Sequence, residues 1–278
     1  MDPTLAEHNQ HYAPGDVDAD ISAALAALSK DHTPLTVDDL AGIDQLHTGG
    51  IEATRSLAKR AAITASDRVL DIGGGLGGSA RLLAREIGCQ VTVIDLTEAF
   101  CRAGEKITSQ VNLTDHVRFQ HGNALDLPFD SGSFDVVWTQ HSSMNVPDKV
   151  TQYAQIQRVL KPGGRLALHE VIAGSLEPIY LPVGWAHSAA MSFLVTSQTL
   201  RDTITRAGFR ELAWADKSDW SMTWFQERQQ AQQRASAAPN AAGISLLRGP
   251  DSGAIMRNMA RNLQEGRTRI VEGVFERI

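Results

Sequence analysis

Val69-Leu70-Asp71-Ile72-Gly73-Gly74-Gly75-Leu76-Gly77-Gly78 decides the reading of this 278-residue chain. An apolar run carrying a carboxylate passes straight into five glycines among residues 73–78. Ser79-Ala80-Arg81-Leu82-Leu83-Ala84 opens a helical pattern directly behind them. Glycine reaches φ > 0 without strain and lets a ligand approach the backbone with no Cβ in the way. A strand, a glycine turn and a helix N-terminus in that order form a nucleotide-binding corner. So dense a glycine run costs stability, and a tight turn alone does not account for it.

Two details separate this corner from a dinucleotide site. The Asp71 carboxylate at the strand end repels a pyrophosphate and attracts an ammonium group. No Lys-Ser or Lys-Thr follows the glycines, which excludes the phosphate-gripping P-loop. The ligand that fits is a nucleoside carrying an amino acid, S-adenosylmethionine.

Composition narrows the class. With 42% hydrophobic residues, a chain of this length suits one α/β domain with elaborations. The net charge of −6, from 26 basic and 32 acidic residues, argues against a nucleic-acid footprint, which needs a concentrated basic face. Cys89 and Cys101 fall in a strand start and a helix, so no disulfide framework is expected and a cytoplasmic location is. No basic-then-apolar leader is visible in residues 1–30, and no apolar run approaches a membrane span. No Cys/His cluster has zinc spacing, so no metal is indicated.

The first sixty residues read as helices and turns, ending in an amphipathic helix over 51–62. From Arg68 strands and helices alternate, the signature of a parallel sheet wound with helices. Strands are expected at 68–72, 90–95, 117–121, 134–139, 165–171, 211–216 and 269–277. Helices are expected after the first strand to about 87, from a Thr97 cap to about 110, over 149–160, and over 198–207 behind a Ser197 cap. Lys161-Pro162-Gly163-Gly164 is read as a stop. The Gln-rich run 226–233 is read as a solvated helix face, with a break near Pro239 and a further helix from Gly253.

Three later segments complete a recognisable order: Val93-Ile94-Asp95-Leu96, Gly122-Asn123-Ala124-Leu125-Asp126-Leu127-Pro128-Phe129, and Ser133-Phe134-Asp135-Val136-Val137-Trp138. With Val159-Leu160-Lys161-Pro162-Gly163-Gly164 they make the chain resemble class I S-adenosylmethionine-dependent methyltransferases. Upstream, Asp44-Gln45-Leu46-His47-Thr48-Gly49-Gly50 is similar to the sarcosine/dimethylglycine N-methyltransferase group. Gln140-His141-Ser142-Ser143-Met144-Asn145-Val146 and Asn262-Leu263-Gln264-Glu265-Gly266 carry the same likeness. The resemblance implies a Rossmann-like fold: a mostly parallel seven-stranded sheet with a final antiparallel strand, an N-terminal helical cap, and inserted helices before the last strand. The domain expectation is a cap over 1–62 and a methyltransferase domain over 63–278, with substrate-covering insertions at about 172–196 and 217–265.

The resemblance also assigns residues. Gly73 and Gly75 would pack against the methionyl part of the cofactor, with Asp71 near it. Asn123 stands where relatives commonly carry Asp and would accept from the adenine amino group, Ala124 serving a ring nitrogen through its backbone. Asp126 ranks second for that role. The residues themselves place Asp95, 24 positions after Asp71, at the end of the adjacent strand, where its carboxylate suits a ribose diol; Leu96 goes with it. Gln140 to Asn145 follows the fourth strand at the carboxyl edge, where wound α/β sheets bind ligands. His141 is the candidate base, Gln140 a cofactor contact, and Asn145 a holder of the acceptor or of the cofactor. Gln45 is expected as an amide clamp on the cofactor, with His47, Trp185 and His187 on the acceptor side. Trp214, Trp220 and Trp224 are weaker pocket candidates.

These features point to methyl transfer onto a small-molecule acceptor, at N, O or C, by in-line displacement. A sarcosine/dimethylglycine-type N-methyltransferase is the narrower alternative. It needs an Arg or Lys for the acceptor's carboxylate, and the sequence offers only Arg55 as a guess. A protein that binds S-adenosylmethionine without transfer, including a cyclisation catalyst, is the other alternative. A nicotinamide oxidoreductase fits the glycines but not Asp71 or the later turns.

Overall fold

A computed structural model describes residues 11–13, 15–28, 34–235 and 252–278. The expected break near Pro239 lies outside them.

Three helices lead the described chain: α1 (Val17–Leu28), α2 (Val37–Asp44) and α3 (Gly50–Arg60). The alternating core follows with β1 (Arg68–Ile72), α4 (Gly78–Ile87), β2 (Gln90–Asp95), α5 (Glu98–Gln110), β3 (Val117–His121) and β4 (Phe134–Gln140). Next come α6 (Lys149–Val159), β5 (Leu160–Ala173), α7 (Ser197–Arg206) and β6 (Phe209–Asp216). The chain closes with α8 (Ser218–Ala235), α9 (Ser252–Gln264) and β7 (Thr268–Arg277).

The seven strands form one sheet in the order β3-β2-β1-β4-β5-β7-β6. From β3 through β5 every neighbour pair is parallel, and β7 runs antiparallel between β5 and β6. β1 sits between β2 and β4, so the winding changes direction there and a crevice opens beyond the carboxyl ends of these strands. Both faces are covered. One buries Leu57, Leu83 and Val93 with Trp138; the other buries Tyr153, Ile156 and Ile204 with Phe275.

Two sequence expectations need correction. β5 begins at Leu160, not Arg165, so Lys161-Pro162-Gly163-Gly164 lies within the strand. The ladder absorbs these residues as an irregularity: Phe134 pairs Leu160 while Val136 pairs Arg165, and Gly163 takes φ +73°. Pro162 and a left-handed glycine read locally as a stop, but pairing decides the strand. Helix α7 starts one residue earlier than expected, with Thr196 as its cap. Thr196 is extended, and its hydroxyl oxygen accepts from the Thr199 N–H at 3.2 Å.

The N-terminal helices are packed onto the glycine corner. Val17, Ile21 and Leu25 of α1 join Phe100, Ala103 and Ile107 of α5. Arg81 of α4 reaches Asp44 of α2 at 2.8 Å, with both side chains fully buried, and also donates to Thr108 Oγ1 at 2.9 Å. Gly78 has no room for a side chain because a Cβ there would stand 2.5 Å from the Asp44 carbonyl oxygen. That glycine serves the fit between α2 and α4.

Candidate cofactor and acceptor site

The crevice at the β1/β4 switch is a cavity of about 660 Å³. Every predicted site residue lines it except Gln45. His141, Asp71, Gly73, Gly75, Asp95, Leu96, Asn123, Ala124 and Gln140 are in its wall, as are His47, Asn145, Trp185 and His187. Of the weaker candidates, Asp126, Trp214, Trp220 and Trp224 are not.

At the glycine end, Gly73 and Gly75 hold φ of +70° and +56°. The Gly73 N–H donates to the Ile94 carbonyl at 2.7 Å, which fixes the turn against β2. Asp95 accepts two backbone N–H groups, from Gly75 at 2.8 Å and from Thr97 at 2.8 Å. Two carboxylate oxygens offer about four lone pairs, so both can still accept. Burial pushes the Asp95 carboxyl up, and these backbone donors pull it back.

Asp71 is the unbalanced group. It is buried, its Oδ2 has no hydrogen-bond partner, and Gly74 leaves that oxygen space that a Cβ would take at 2.6 Å. Burial, then the nearby Asp95 carboxylate, raise it to about 8. A cation placed here would relieve both effects.

Gln140 at the end of β4 is a hub. Its Oε1 accepts from Ser79 Oγ at 2.6 Å, Trp138 Nε1 at 2.9 Å and Thr54 Oγ1 at 3.2 Å. The amide is thereby oriented, and its buried Nε2 is left without a partner. Gln45 stands behind this wall with its Oε1 3.3 Å from Thr54 Oγ1, bracing the hub. His47 Nε2 lies 3.1 Å from the Gly50 carbonyl, and burial lowers its ring to about 4.

His141 follows β4 with φ +50°, a left-handed residue without a glycine's freedom. Its N–H donates to the His169 carbonyl at 2.9 Å, and its ring lies 5.2 Å from the His169 ring and 6.2 Å from that of His47. His169, lowered to about 3 by burial, is the neutral floor of this trio. The next two residues are clasped by Glu170, whose Oε2 accepts from the Ser142 and Ser143 N–H groups at 3.2 Å each. Burial raises Glu170 to about 7.

The far end is built from segments to which the sequence assigns few roles. Asn145 accepts from the Tyr12 hydroxyl at 2.7 Å and donates to the Trp185 and Met191 carbonyls at 2.8 and 3.2 Å. It latches the N-terminal segment to the 182–191 loop, so its amide is already committed. His11 lies 3.2 Å from the Gly184 carbonyl and 3.4 Å from a ring nitrogen of His187. Met144, Trp185, Ile255 and Met259 supply buried apolar wall. Ser79, Thr54, Tyr12 and these two methionines escape sequence reasoning; a small hydroxyl or a lone Met carries no sequence signal of its own.

Residues 70–168 match the family model described as a methyltransferase domain. The described residues form a Rossmann-like fold shared with solved methyltransferase structures. Geranyl diphosphate C-methyltransferase from Streptomyces coelicolor A3(2) superposes with a TM-score of 0.72 at 19% identity, covering 99% of this chain and 98% of that one. The 4+2 cyclase SpnF superposes with a TM-score of 0.67 at 20% identity, covering 97% and 96% of the two chains. Among curated relatives, glycine/sarcosine/dimethylglycine N-methyltransferase from Actinopolyspora halophila is 29% identical over 183 residues, 64% of this chain and 31% of its own length. The chain spans between 30% and 51% of the length of the first curated relatives it matches. Among the described residues no helix is long and apolar enough to cross a membrane.

Proposed function

We propose that this protein binds S-adenosylmethionine and transfers its methyl group to a small-molecule acceptor. The observation that carries the reading is the buried Asp71 carboxylate, its Oδ2 without a hydrogen-bond partner, beside the glycine turn at the switch point. An α-ammonium group there supplies the missing counter-charge. The residues present fit the rest of the molecule. Asp95 retains lone pairs for a ribose diol, and Asn123 and Ala124 flank the same crevice. Asn123 Oδ1 accepts from the Leu125 N–H at 2.9 Å, which orders that turn for an adenine edge.

When bound, this cofactor supplies a methyl group already activated by a sulfonium. The chain therefore has mainly to position, desolvate and, for a protonated acceptor, remove a proton. Gln140 offers an oriented N–H group. His141 is the base we assign to the acceptor's proton, because it lies in the wall between the glycine end and the apolar end. His47, held neutral, orders that wall through Gly50 and Thr54. On this reading the described parts of the cap and of the 172–196 and 217–265 segments exclude water.

The test is calorimetric titration with S-adenosylmethionine beside NAD, followed by chromatographic detection of S-adenosylhomocysteine. Binding of S-adenosylmethionine alone supports the reading; binding of neither removes it. Likeness to the SpnF cyclase fold keeps one second reading: a protein that holds the cofactor and promotes cyclisation without transfer. Acceptor turnover with no S-adenosylhomocysteine would select it. The two free, buried cysteines, Cys89 and Cys101, accord with a cytoplasmic location, which we also propose.

A further inference from the structure

Among the described residues the carboxylates of the cavity are all at one end. Among its described lining residues the carboxylates are Asp44, Asp71 and Asp95, and none is Arg or Lys. Asp44 is neutralised by Arg81, while Asp71 and Asp95 belong to the glycine end. At the other end Met144, Trp185, Ile255 and Met259 form one buried apolar cluster, with Val183 and Met191 behind. The polar groups there are satisfied by one another: Tyr12 by Asn145, Asn145 by two carbonyls, and His11 by Gly184. Two cations near in sequence are held elsewhere. Lys149 donates its Nζ to the Ser143 carbonyl at 2.6 Å and does not line the cavity. Arg55, the one residue the sequence offers for an acceptor carboxylate, is bound to Glu52 at 2.7 Å and Glu86 at 2.8 Å on the outer face of α3.

We infer that the acceptor is an uncharged, predominantly apolar molecule, seated against Met144, Trp185, Ile255 and Met259. The inference rests on the methyltransferase reading above and deepens it. A carboxylate or diphosphate entering this end would lose its hydration with no Arg or Lys among the described lining residues to replace it, only the His11 and His187 imidazoles. An apolar ring or chain gains by leaving water against the same wall. The chemistry therefore disfavours both an amino-acid acceptor, for which the Actinopolyspora halophila relative is named, and a diphosphate, for which the Streptomyces coelicolor enzyme is named.

The experiment is calorimetric titration of the full chain, with and without S-adenosylhomocysteine, by three probes: a naphthol, dimethylglycine and geranyl diphosphate. The naphthol is expected to bind about tenfold or more tighter than either charged probe, a margin that lies below the cost of burying an unpaired charge. Met259→Arg is expected to weaken naphthol binding about tenfold while leaving S-adenosylhomocysteine affinity within about twofold. Failure of the naphthol to bind, or tighter binding of a charged probe, overturns the inference. Binding of a charged probe that disappears in Arg248→Ala overturns it too, by tracing a cation to residues 236–251. Naphthol binding without any S-adenosylhomocysteine binding overturns the methyltransferase reading alone and leaves the acceptor preference standing.

Discussion

The Gly75 N–H donates to Asp95 Oδ2 at 2.8 Å, tying the glycine turn after β1 to the end of β2. On the proposed reading, one carboxylate shapes the turn that would hold one part of the cofactor and offers lone pairs to another part. Asp95→Ala removes both roles. Loss of charge-assisted hydrogen bonds worth about 1.5–3 kcal/mol should lower S-adenosylmethionine affinity roughly 10- to 100-fold. Calorimetry decides it: unchanged affinity takes Asp95 out of the site.

Proton uptake reports on Asp71. Its folded-state value of about 8 lies above that of the unfolded chain, so the native protein keeps a proton there that the unfolded chain releases. Stability from this group is full at acid pH and is lost as pH rises through 8. An ammonium ligand selects the ionised form, so binding near pH 7 should release up to about one proton. Titration in buffers of different ionisation enthalpy measures that number, and Asp71→Asn should abolish it. Zero release in the parent protein would mean that no cation docks at Asp71.

His141→Asn separates chemistry from scaffold. Asn tolerates the left-handed backbone that His141 adopts, so the loop should survive. Turnover should fall about 10²- to 10⁴-fold, the range for loss of a general base, while cofactor affinity stays within about twofold. Full turnover across pH would demote the imidazole to a wall residue.

Arg81→Met tests the buried tie between the cap and the sheet. It leaves Asp44 desolvated with no counter-charge, and burial already pushes that carboxyl up. Urea unfolding should show a loss of about 3–5 kcal/mol. The double variant Arg81→Met, Asp44→Leu should recover much of it; no recovery would show that the pair is not the source.

How much of this is legible in the sequence depends on whether the signal is local. The strand at Arg68–Ile72, its glycines and the helix behind them follow from neighbouring residues, and so do Gln90–Asp95 and its terminal carboxylate. The start of β5 is not legible because Pro162 and Gly163 look like a terminator, whereas β4 supplies the pairing from 26 residues upstream at Phe134↔Leu160. The hub around Gln140 joins Thr54 and Ser79, which are 86 and 61 positions away from it. Two hydroxyls on separate helices have no pattern to betray that meeting. Asn145 is legible as a site residue, but its engagement by Tyr12 arises from a contact 133 positions away. Trp185 and His187 stand out because aromatic groups are conspicuous; Met144, Ile255 and Met259, equally part of the wall, are not.

Glu170 lies in β5, paired with the antiparallel β7 at Val271, and clasps the loop that follows β4. It stands on the seam between two architectures. The glycine corner, Asp95 and the Asn123 turn all belong to the parallel side, within the stretch that matches the methyltransferase-domain model. Pro182, Trp185, Ile255 and Met259 come from chain beyond that stretch. The apolar wall is thus assembled largely outside the matched stretch, with Met144 its contribution from within.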